Sequence, residues 1–394
     1  MISYSEALNR IAALAPIATT ETIPIDGACG RVLASKVFAS MDHPPFTNSA
    51  MDGFAFNRDR LAADTLVVRG TRFAATGHRD ETFDQRTDCI RIMTGAPLPE
   101  GTDTVIPVEQ TRIESDGRVT FSAPPDRGSN VRFGGSDILR GTLLLKEGTY
   151  LTPEAILVAT AFGYDTLPVT TLPRVGLFAT GDELITPGSP LPAGGIYNNT
   201  RYFLAASFRR LGLNPDPITH LRDDPATAEA AIAAFAARRP GLIVTTGAVS
   251  AGDKDFIPDL AAKLGFTTIF HKVAVRPGKP LFLAVRGNDT VWLGIPGNPI
   301  STVTSWHYFV RPLLARWAGL PAPEKVLLTL ANDQKKPNNL TCFFRAVAAI
   351  GEARIAADQG SGNLLASLSA NAYIELPEAT DRVTQGTPCL AIRI

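Results

Sequence analysis

The sequence predicts a multidomain α/β and β protein, and three observations carry that prediction. Between residues 173 and 318, β-runs alternate with helical stretches. From about 40 to 148 the chain is a series of short β-runs separated by turn residues, and after Pro321 and Pro323 short β-runs return. Strands alternating with helices imply a parallel sheet covered on both faces, a doubly wound domain. A chain of 394 residues is also long for one core, and two to four domains is the expectation.

The elements follow in order. Residues 5–15 fit an amphipathic helix with Leu8, Ile11, Ala12 and Ala15 on one side. The β-rich region contains Leu66–Val68, Cys89–Met93, Thr104–Pro107 and Arg118–Ser122. Residues 153–163 read as a helix with Pro153 in its first turn and Gly163 at its end. RVGLFAT is a β-run, NTRYFLAASFRRLG a helix stopped at Gly212, and DPITHLR a short strand. A helix with Asp224 and Pro225 at its start follows, then the buried strand GLIVTTG and the helix DFIPDLAAKLG. TVWLGI is another strand, and a long helix runs from Asn298 to Trp317. The chain ends in a small β-domain.

Composition narrows the function. Lys+Arg and Asp+Glu are both 38, so no global field favours nucleic acid, and any anion site must be local. Cys29, Cys89, Cys342 and Cys389 show no C-x-x-C spacing; they are expected to be small buried residues in a reducing compartment, not zinc ligands or disulfides. The N-terminus lacks a basic segment followed by an apolar run, and no apolar stretch reaches about 18 residues. A cytoplasmic protein without a membrane span is expected.

In an open parallel sheet, ligands bind outside the carboxyl ends of the strands. Three loops occupy that position: Thr180-Gly181-Asp182-Glu183, the stretch from Gly247 through Ser250 and Gly252 to Asp255, and Pro296-Gly297-Asn298-Pro299. Glycines allow close backbone approach, and N–H groups at a helix start suit a phosphate. Asp253 and Asp255 beside such a cradle call for a bridging Mg²⁺. A polar βα turn with a capping Asp explains the second loop equally well, and Asn298 with Pro299 is a helix start in its own right. Lys272, Arg276 and Lys279 form a small cationic group; on an extended strand Lys272 and Arg276 face the same way. Asp52, in NSAMDGF, and Thr94, in MTGAPLPEG, read locally as turn and loop residues.

Taken together, NSAMDGFA, RIMTGAPLPEGTD, the stretch from Gly128 to Asp137, FATGDEL, IYNNT, RDDP, GAVSAGDKDF, RPGKP and GIPGNP stand in the order seen in MoeA-family proteins, whose pattern the chain resembles over nearly its whole length. Arg345 in CFFRA and Gln359-Gly360-Ser361 resemble the family's last domain. The resemblance implies an elongated first domain from 1–40 and 138–172 and an inserted β-rich domain over 41–137. It further implies a Mog-like α/β molybdopterin-binding domain over 173–320 and a β-barrel-like domain over 321–394. It implies an elongated homodimer, with the cleft between the third domain of one subunit and the second of the other.

The implied reaction is molybdenum transfer: adenylylated molybdopterin and molybdate are the substrates, Mg²⁺ assists, and AMP is released. A Mog-type adenylyltransferase and apo-molybdoenzymes or their chaperones are the implied partners. The family's functional positions fall on Asp52, Thr94, Asp137, Glu183, Asp223 and Asp255, with Lys272, Arg276 and Lys279 as the basic set. Glu183, Asp223 and Asp255 are the cation candidates, and Thr180, Gly181, Asp182, Gly247, Ser250, Gly252, Pro296, Gly297, Asn298 and Pro299 would line the pterin site. Three positions depart from the pattern: Ala248 replaces a common Gly, Arg276 a common Lys, and Thr200 a common Asn. A Mog-like adenylyltransferase, a tungsten-inserting paralogue and a non-enzymatic scaffold are the competing readings.

Overall fold

The computed structural model describes every residue except 16, 18, 76–81, 239–240, 250–254, 338 and 361–362. The chain divides into two compact units. One holds Met1–Ser35, Glu147–Ile156 and Thr166–Ile394; the other holds Lys36–Lys146 and Leu157–Asp165.

Helix α1 (Tyr4–Ala12) is capped by Ser3, whose side chain accepts from the Glu6 N–H. Its inward face is Tyr4, Ala7 and Ile11, while Ala12 and Ala15 are exposed, so the expected face is rotated. The helix ends before Ala15, and Tyr4 sets its rotation through edge contacts with Tyr308, Phe309 and Phe343. Strand β1 (Thr20–Pro24) comes next.

The second unit carries β2 (Gly53–Phe56), β3 (Thr65–Arg72), β4 (Asp88–Ile92), β5 (Thr104–Pro107), β6 (Thr111–Ile113) and β7 (Arg118–Phe121). They form one sheet in the order β5-β2-β4-β3-β7-β6, parallel only between β3 and β4. Phe54, Phe56, Leu66, Cys89, Ile106, Val119 and Phe121 pack as its core. All four expected β-runs of this region are strands or parts of strands.

Helix α2 (Pro153–Ala161) ends just before Gly163 at φ +83°, as its composition requires. Strand β8 (Thr166–Thr170) pairs antiparallel with β1. The α/β region follows: β9 (Arg174–Thr180), α3 (Asn199–Arg209), β10 (Ile218–Leu221), α4 (Pro225–Ala236), β11 (Gly241–Thr246), α5 (Ile257–Lys263), β12 (Thr267–His271), β13 (Val275–Arg276), β14 (Phe282–Arg286) and β15 (Thr290–Ile295). The six-stranded sheet runs β10-β9-β11-β15-β14-β12. Alternation decides which side each residue covers. Leu242 and Val244 of β11 join Leu204 and Phe208 of α3, while Ile243 joins Ile232 of α4 and Leu260 of α5. Both faces are covered, as expected. The sheet is mixed, however, because β14 runs antiparallel to β15 and β12. A tight turn between Arg286 and Thr290, with Gly287 at φ +60°, reverses the chain between two strands, the first of which the sequence reading does not single out.

The long helix predicted from Asn298 to Trp317 is α6 (Pro299–Ser305), a π turn (Trp306–Val310) and α7 (Arg311–Ala318). Pro312 has no N–H for the Tyr308 carbonyl, and its ring crowds that oxygen. The helix widens there, and the Arg311 N–H donates to the Trp306 carbonyl. His307, in this turn, is only 9% exposed, and its Nδ1 has no partner among the described residues. Burial first, then the charges of Arg311 and Arg210, push its pKa from 6.5 down to about 3. The folded value lies below the unfolded one, so stability present above pH 6.5 is lost as the pH falls toward 3. The loss is about 2 kcal/mol by pH 5. His307→Phe should reduce the difference in urea-unfolding free energy between pH 7 and pH 5 by about that amount; an unchanged difference would contradict the assignment.

The C-terminal strands β16 (Lys325–Leu330), β17 (Thr341–Ala348), β18 (Glu352–Ile355), β19 (Ala372–Leu376) and β20 (Pro388–Arg393) pair in the order β17-β18-β16-β20-β19. A β17–β19 pairing closes the expected barrel. Strand β13 adds to its edge beside β17. Cys89, Cys342 and Cys389 are buried as expected, but Cys29 is exposed, in the turns after Gly27. No helix among the described residues is long and apolar enough to cross a membrane.

Candidate functional site

The three loops lie at one edge of the sheet because β9, β10, β11 and β15 are parallel neighbours ending at one level. Thr180 is in register with Leu221, and Thr246 with Ile295. The Thr180 hydroxyl donates to the Thr246 carbonyl at 3.1 Å, tying the first loop to the second. Gly247 sits at φ +88°, where a Cβ would lie 2.7 Å from the Thr180 Oγ1 and 2.8 Å from its carbonyl oxygen. Gly297 faces Gly247, with the Cβ position 3.6 Å from the Gly247 Cα. Gly247 therefore packs against Thr180 and Gly297 into a close floor that leaves no room for a side chain at 247. Ala248 accepts a left-handed φ of +50°, a strained position that the common glycine would occupy freely. Ser250, Gly252 and Asp253 lie outside the described residues.

Acidic groups gather at the β9 and β10 ends. The Asp223 N–H donates to Asp182 Oδ1 at 3.3 Å, and a Cβ on Gly181 would touch the Glu183 carboxylate at 2.7 Å. Asp255 is half-buried just ahead of α5. Among the described residues no group of three or more His, Cys, Asp or Glu is placed to hold a metal. Asp224 is the helix cap expected from sequence, accepting from the Ala226 and Thr227 N–H groups. Asn298 caps α6 through the Ile300 and Ser301 N–H groups, with Pro299 at the first helical position. The Thr302 hydroxyl donates to the Pro296 carbonyl at 2.8 Å and stiffens the loop from below.

The cationic group has a different geometry from the expected one. Lys272 lies at φ +65°, so it ends β12 and does not share an extended strand with Arg276. The chain doubles back instead: Lys272 N–H donates to the Leu281 carbonyl, and Val273 N–H to the Lys279 carbonyl. Arg276 pairs with Cys342 in the barrel edge and lines a cavity of about 380 Å³ with Lys335, Arg345, Gln359 and Ile300. Arg345 is 1% exposed, and its guanidinium donates to the Asn363, Asp358 and Gly360 carbonyls and to the Ser367 hydroxyl. It is a buried cation whose hydrogen bonds all go to neutral acceptors, with the Asp358 carboxylate close enough to feel its charge.

In the second unit the structure joins two motifs that sequence kept apart. Asp52 Oδ1 accepts from the Thr94 N–H and the Thr94 hydroxyl, both at 2.7 Å. These two bonds, then the Arg91 charge, hold the Asp52 carboxyl below the usual carboxylate range. The clamp is exposed, and buried Ser49 supports it by accepting from Gly95 N–H and donating its hydroxyl to the Met51 carbonyl. Asp137 is exposed, with its N–H bonded to the His43 carbonyl. The Val131–Arg132 segment pairs with Asn48–Ser49, so the Gly128–Asp137 stretch flanks the same motif.

Two residues were not singled out from sequence. Asn198, 3% exposed, caps α3 with its Oδ1 while its Nδ2 has no partner among the described residues. A buried unpaired amide beside a ligand loop suits a ligand donor; the IYNNT pattern at a helix start was its only signal. Lys335 has no motif at all and is found only through the cavity.

Comparison with known proteins is decisive at this point. Residues 2–163 match the MoeA N-terminal region (domain I and II), 176–316 match a probable molybdopterin binding domain, and 328–394 match the MoeA C-terminal region (domain IV). A molybdopterin molybdenumtransferase of Synechococcus elongatus is 35% identical over 98% of each chain. The chain belongs to the MoeA family. A molybdopterin molybdenumtransferase of Haemophilus influenzae is 32% identical over 98% of this chain and 97% of its own. The molybdopterin biosynthesis MoeA protein of Pyrococcus horikoshii superposes with a TM-score of 0.82 at 26% identity, covering 100% of both chains. The MoeA resemblance drawn from nine short motifs thus extends over the full length.

Proposed function

We propose that this MoeA-family chain completes molybdenum cofactor assembly by inserting molybdenum, taken from molybdate, into adenylylated molybdopterin and releasing AMP. The observation that carries this reading is the close packing of Thr180, Gly247 and Gly297 where three loops meet at the sheet's carboxyl edge. Loops at the carboxyl ends of parallel strands are where such a sheet takes a phosphorylated ligand. In this reading Asn298, Pro296 and Pro299 wall the pterin, and Asn198 donates its free amide hydrogen. Arg276, Arg345, Lys272 and Lys279 hold oxyanions, and the cavity beside Arg345 suits molybdate, since guanidinium groups bind oxyanions through paired N–H donors.

The acidic group fits magnesium, which is typically bound through one or two carboxylates plus substrate phosphates and waters and needs no protein cage. Asp255 with Asp223 or Glu183 would hold it, and it supplies charge neutralisation on the phosphoryl oxygens. The chain's own donors fix the pyrophosphate in place while the bond to AMP breaks. A homodimer completes the site, with Asp52, Thr94 and Asp137 contributed by the second copy. The location proposed is the cytoplasm, with a Mog-type adenylyltransferase supplying substrate and apo-molybdoenzymes or their chaperones taking the product. A Mog-like adenylyltransferase activity would leave the Asp52–Thr94 clamp and the Arg345 cavity unused.

Activation of an apo-molybdoenzyme at low molybdate, with AMP followed, tests the reaction. Free AMP is expected; AMP appearing attached to the pterin would replace this reading with the rival. The shared site has its own test. Asp52→Ala and Asp255→Ala chains should each be inactive alone. Mixed as dimers they should recover about one quarter of wild-type activity, because half the dimers carry one intact site of two. No recovery would place both residues in a site made by one chain.

A further inference from the structure

A second cavity, of about 670 Å³, opens on the first unit between α3, the π turn and the barrel. Arg210, Arg311, Arg393 and His307 line it, and Glu324 is the acidic side chain among its described lining residues. The three guanidinium groups outnumber the one acidic side chain and form no ion pairs among the described residues, and His307, held neutral by burial, adds a polar ring nitrogen. Arg311 has a buried Nε with no partner there, and its Nη2 reaches only the Ala322 carbonyl at 3.4 Å. His307, nine-tenths buried, leaves Nδ1 unpartnered on the same wall. Burial and the neighbouring Arg210 both disfavour the Arg311 charge, so the empty arrangement is costly.

Much of the remaining lining is apolar. Phe203, Leu211, Val303 and Trp306 present hydrocarbon, with the Phe203 and Trp306 rings edge to face at 6.5 Å. Buried polar groups without partners need a ligand, and guanidinium forks match carboxylate or phosphate oxygens. A lining that combines guanidinium groups with aromatic rings suits a charged head on an apolar body.

We infer that this cavity is a binding site for a small amphiphilic organic anion, its phosphate or carboxylate head on Arg311, Arg210 and His307 and its apolar body against Trp306 and Phe203. The site is separate from the glycine-floored loops and shares no lining residue with the Arg276–Arg345 cavity. It does not depend on the proposed reaction.

Tryptophan fluorescence reads the cavity because Trp306, although buried, lines it while Trp292 and Trp317 do not. The full-length protein is titrated with 1-naphthyl phosphate and 1-naphthoate, with 1-naphthol as the neutral control. Saturable quenching by one or both anions is expected, and their order tells phosphate from carboxylate. The quench should vanish in Trp306→Phe and weaken about tenfold or more in Arg311→Gln, the loss of one charged hydrogen-bonding group. Arg393→Gln, at the exposed strand end, should weaken it in the same direction and serves if Arg311→Gln does not fold. Arg276→Gln should leave it unchanged. Equal binding of 1-naphthol, absence of saturation, or undiminished affinity in both the Arg311 and Arg393 variants would overturn the inference.

Discussion

Asp255→Ala should reduce molybdenum insertion by about a hundredfold or more, the effect of deleting a group that positions charge at a reacting phosphoryl centre. The fold should be almost untouched. Asp255 lies two residues ahead of α5, whose first helical residue is Ile257, and an acid near a helix N-terminus contributes only modestly to stability. That is about 0.3–1 kcal/mol. A structural role therefore moves the urea midpoint slightly and activity in proportion, whereas a role at the phosphates moves activity alone. Asp255→Glu keeps the charge but shifts it by one methylene, so it should fall between the two. Turnover of Asp255→Ala near wild type, at matched circular dichroism, would remove this residue from the mechanism.

How far the sequence revealed this site depends on the range of the interaction concerned. Helix starts are local, and Asp224-Pro225 and Asn298-Pro299 were readable because cap and first-turn preferences act within three residues. The three ligand loops were readable because the parallel strands ending in them are nearly continuous apolar runs. The β12–β14 pair was not. Its strands flank HKVAVRPGKP, whose charges and prolines read as a connection, and the left-handed Lys272 breaks the period on which same-face reasoning rests. The Asp52–Thr94 clamp joins residues 42 apart, and neither looks like more than a turn until β2 and β4 pair. Arg345 offers another case: its motif was visible, but not its four neutral acceptors, which lie 13 to 22 residues further along the chain. Local pattern located the loops; the partners that give those loops charge and rigidity come from tertiary pairing.

Gly53→Ala should unfold the edge of the second unit's sheet. Gly53 does not occupy the left-handed region, so the conformational freedom of glycine is not the reason for it. The reason is contact: a Cβ there would lie 2.1 Å from the Ile106 carbonyl oxygen, 2.9 Å from its carbon and 3.1 Å from the Pro107 Cα. These are backbone atoms of the partner strand, with Gly53 opposite Pro107, and no rotamer change relieves them. The β2–β5 ladder must separate, taking with it the Val108 N–H to Asp52 carbonyl bond and the buried Phe54 and Ile106. Overpacking of this kind costs about 3 kcal/mol or more when backbone has to move. Amides of Gly53–Phe56 should lose hydrogen-exchange protection, and the neighbouring Asp52 should lose its bonds to Thr94, so activity falls with stability. Gly297→Ala is the control, since its Cβ would meet the Gly247 Cα at 3.6 Å, an ordinary contact. It should keep its stability, and any loss it shows should be of pterin binding. If Gly53→Ala instead unfolds like wild type with its β2 amides protected, the close approach of β2 and β5 is wrong, and the placement of Asp52 falls with it.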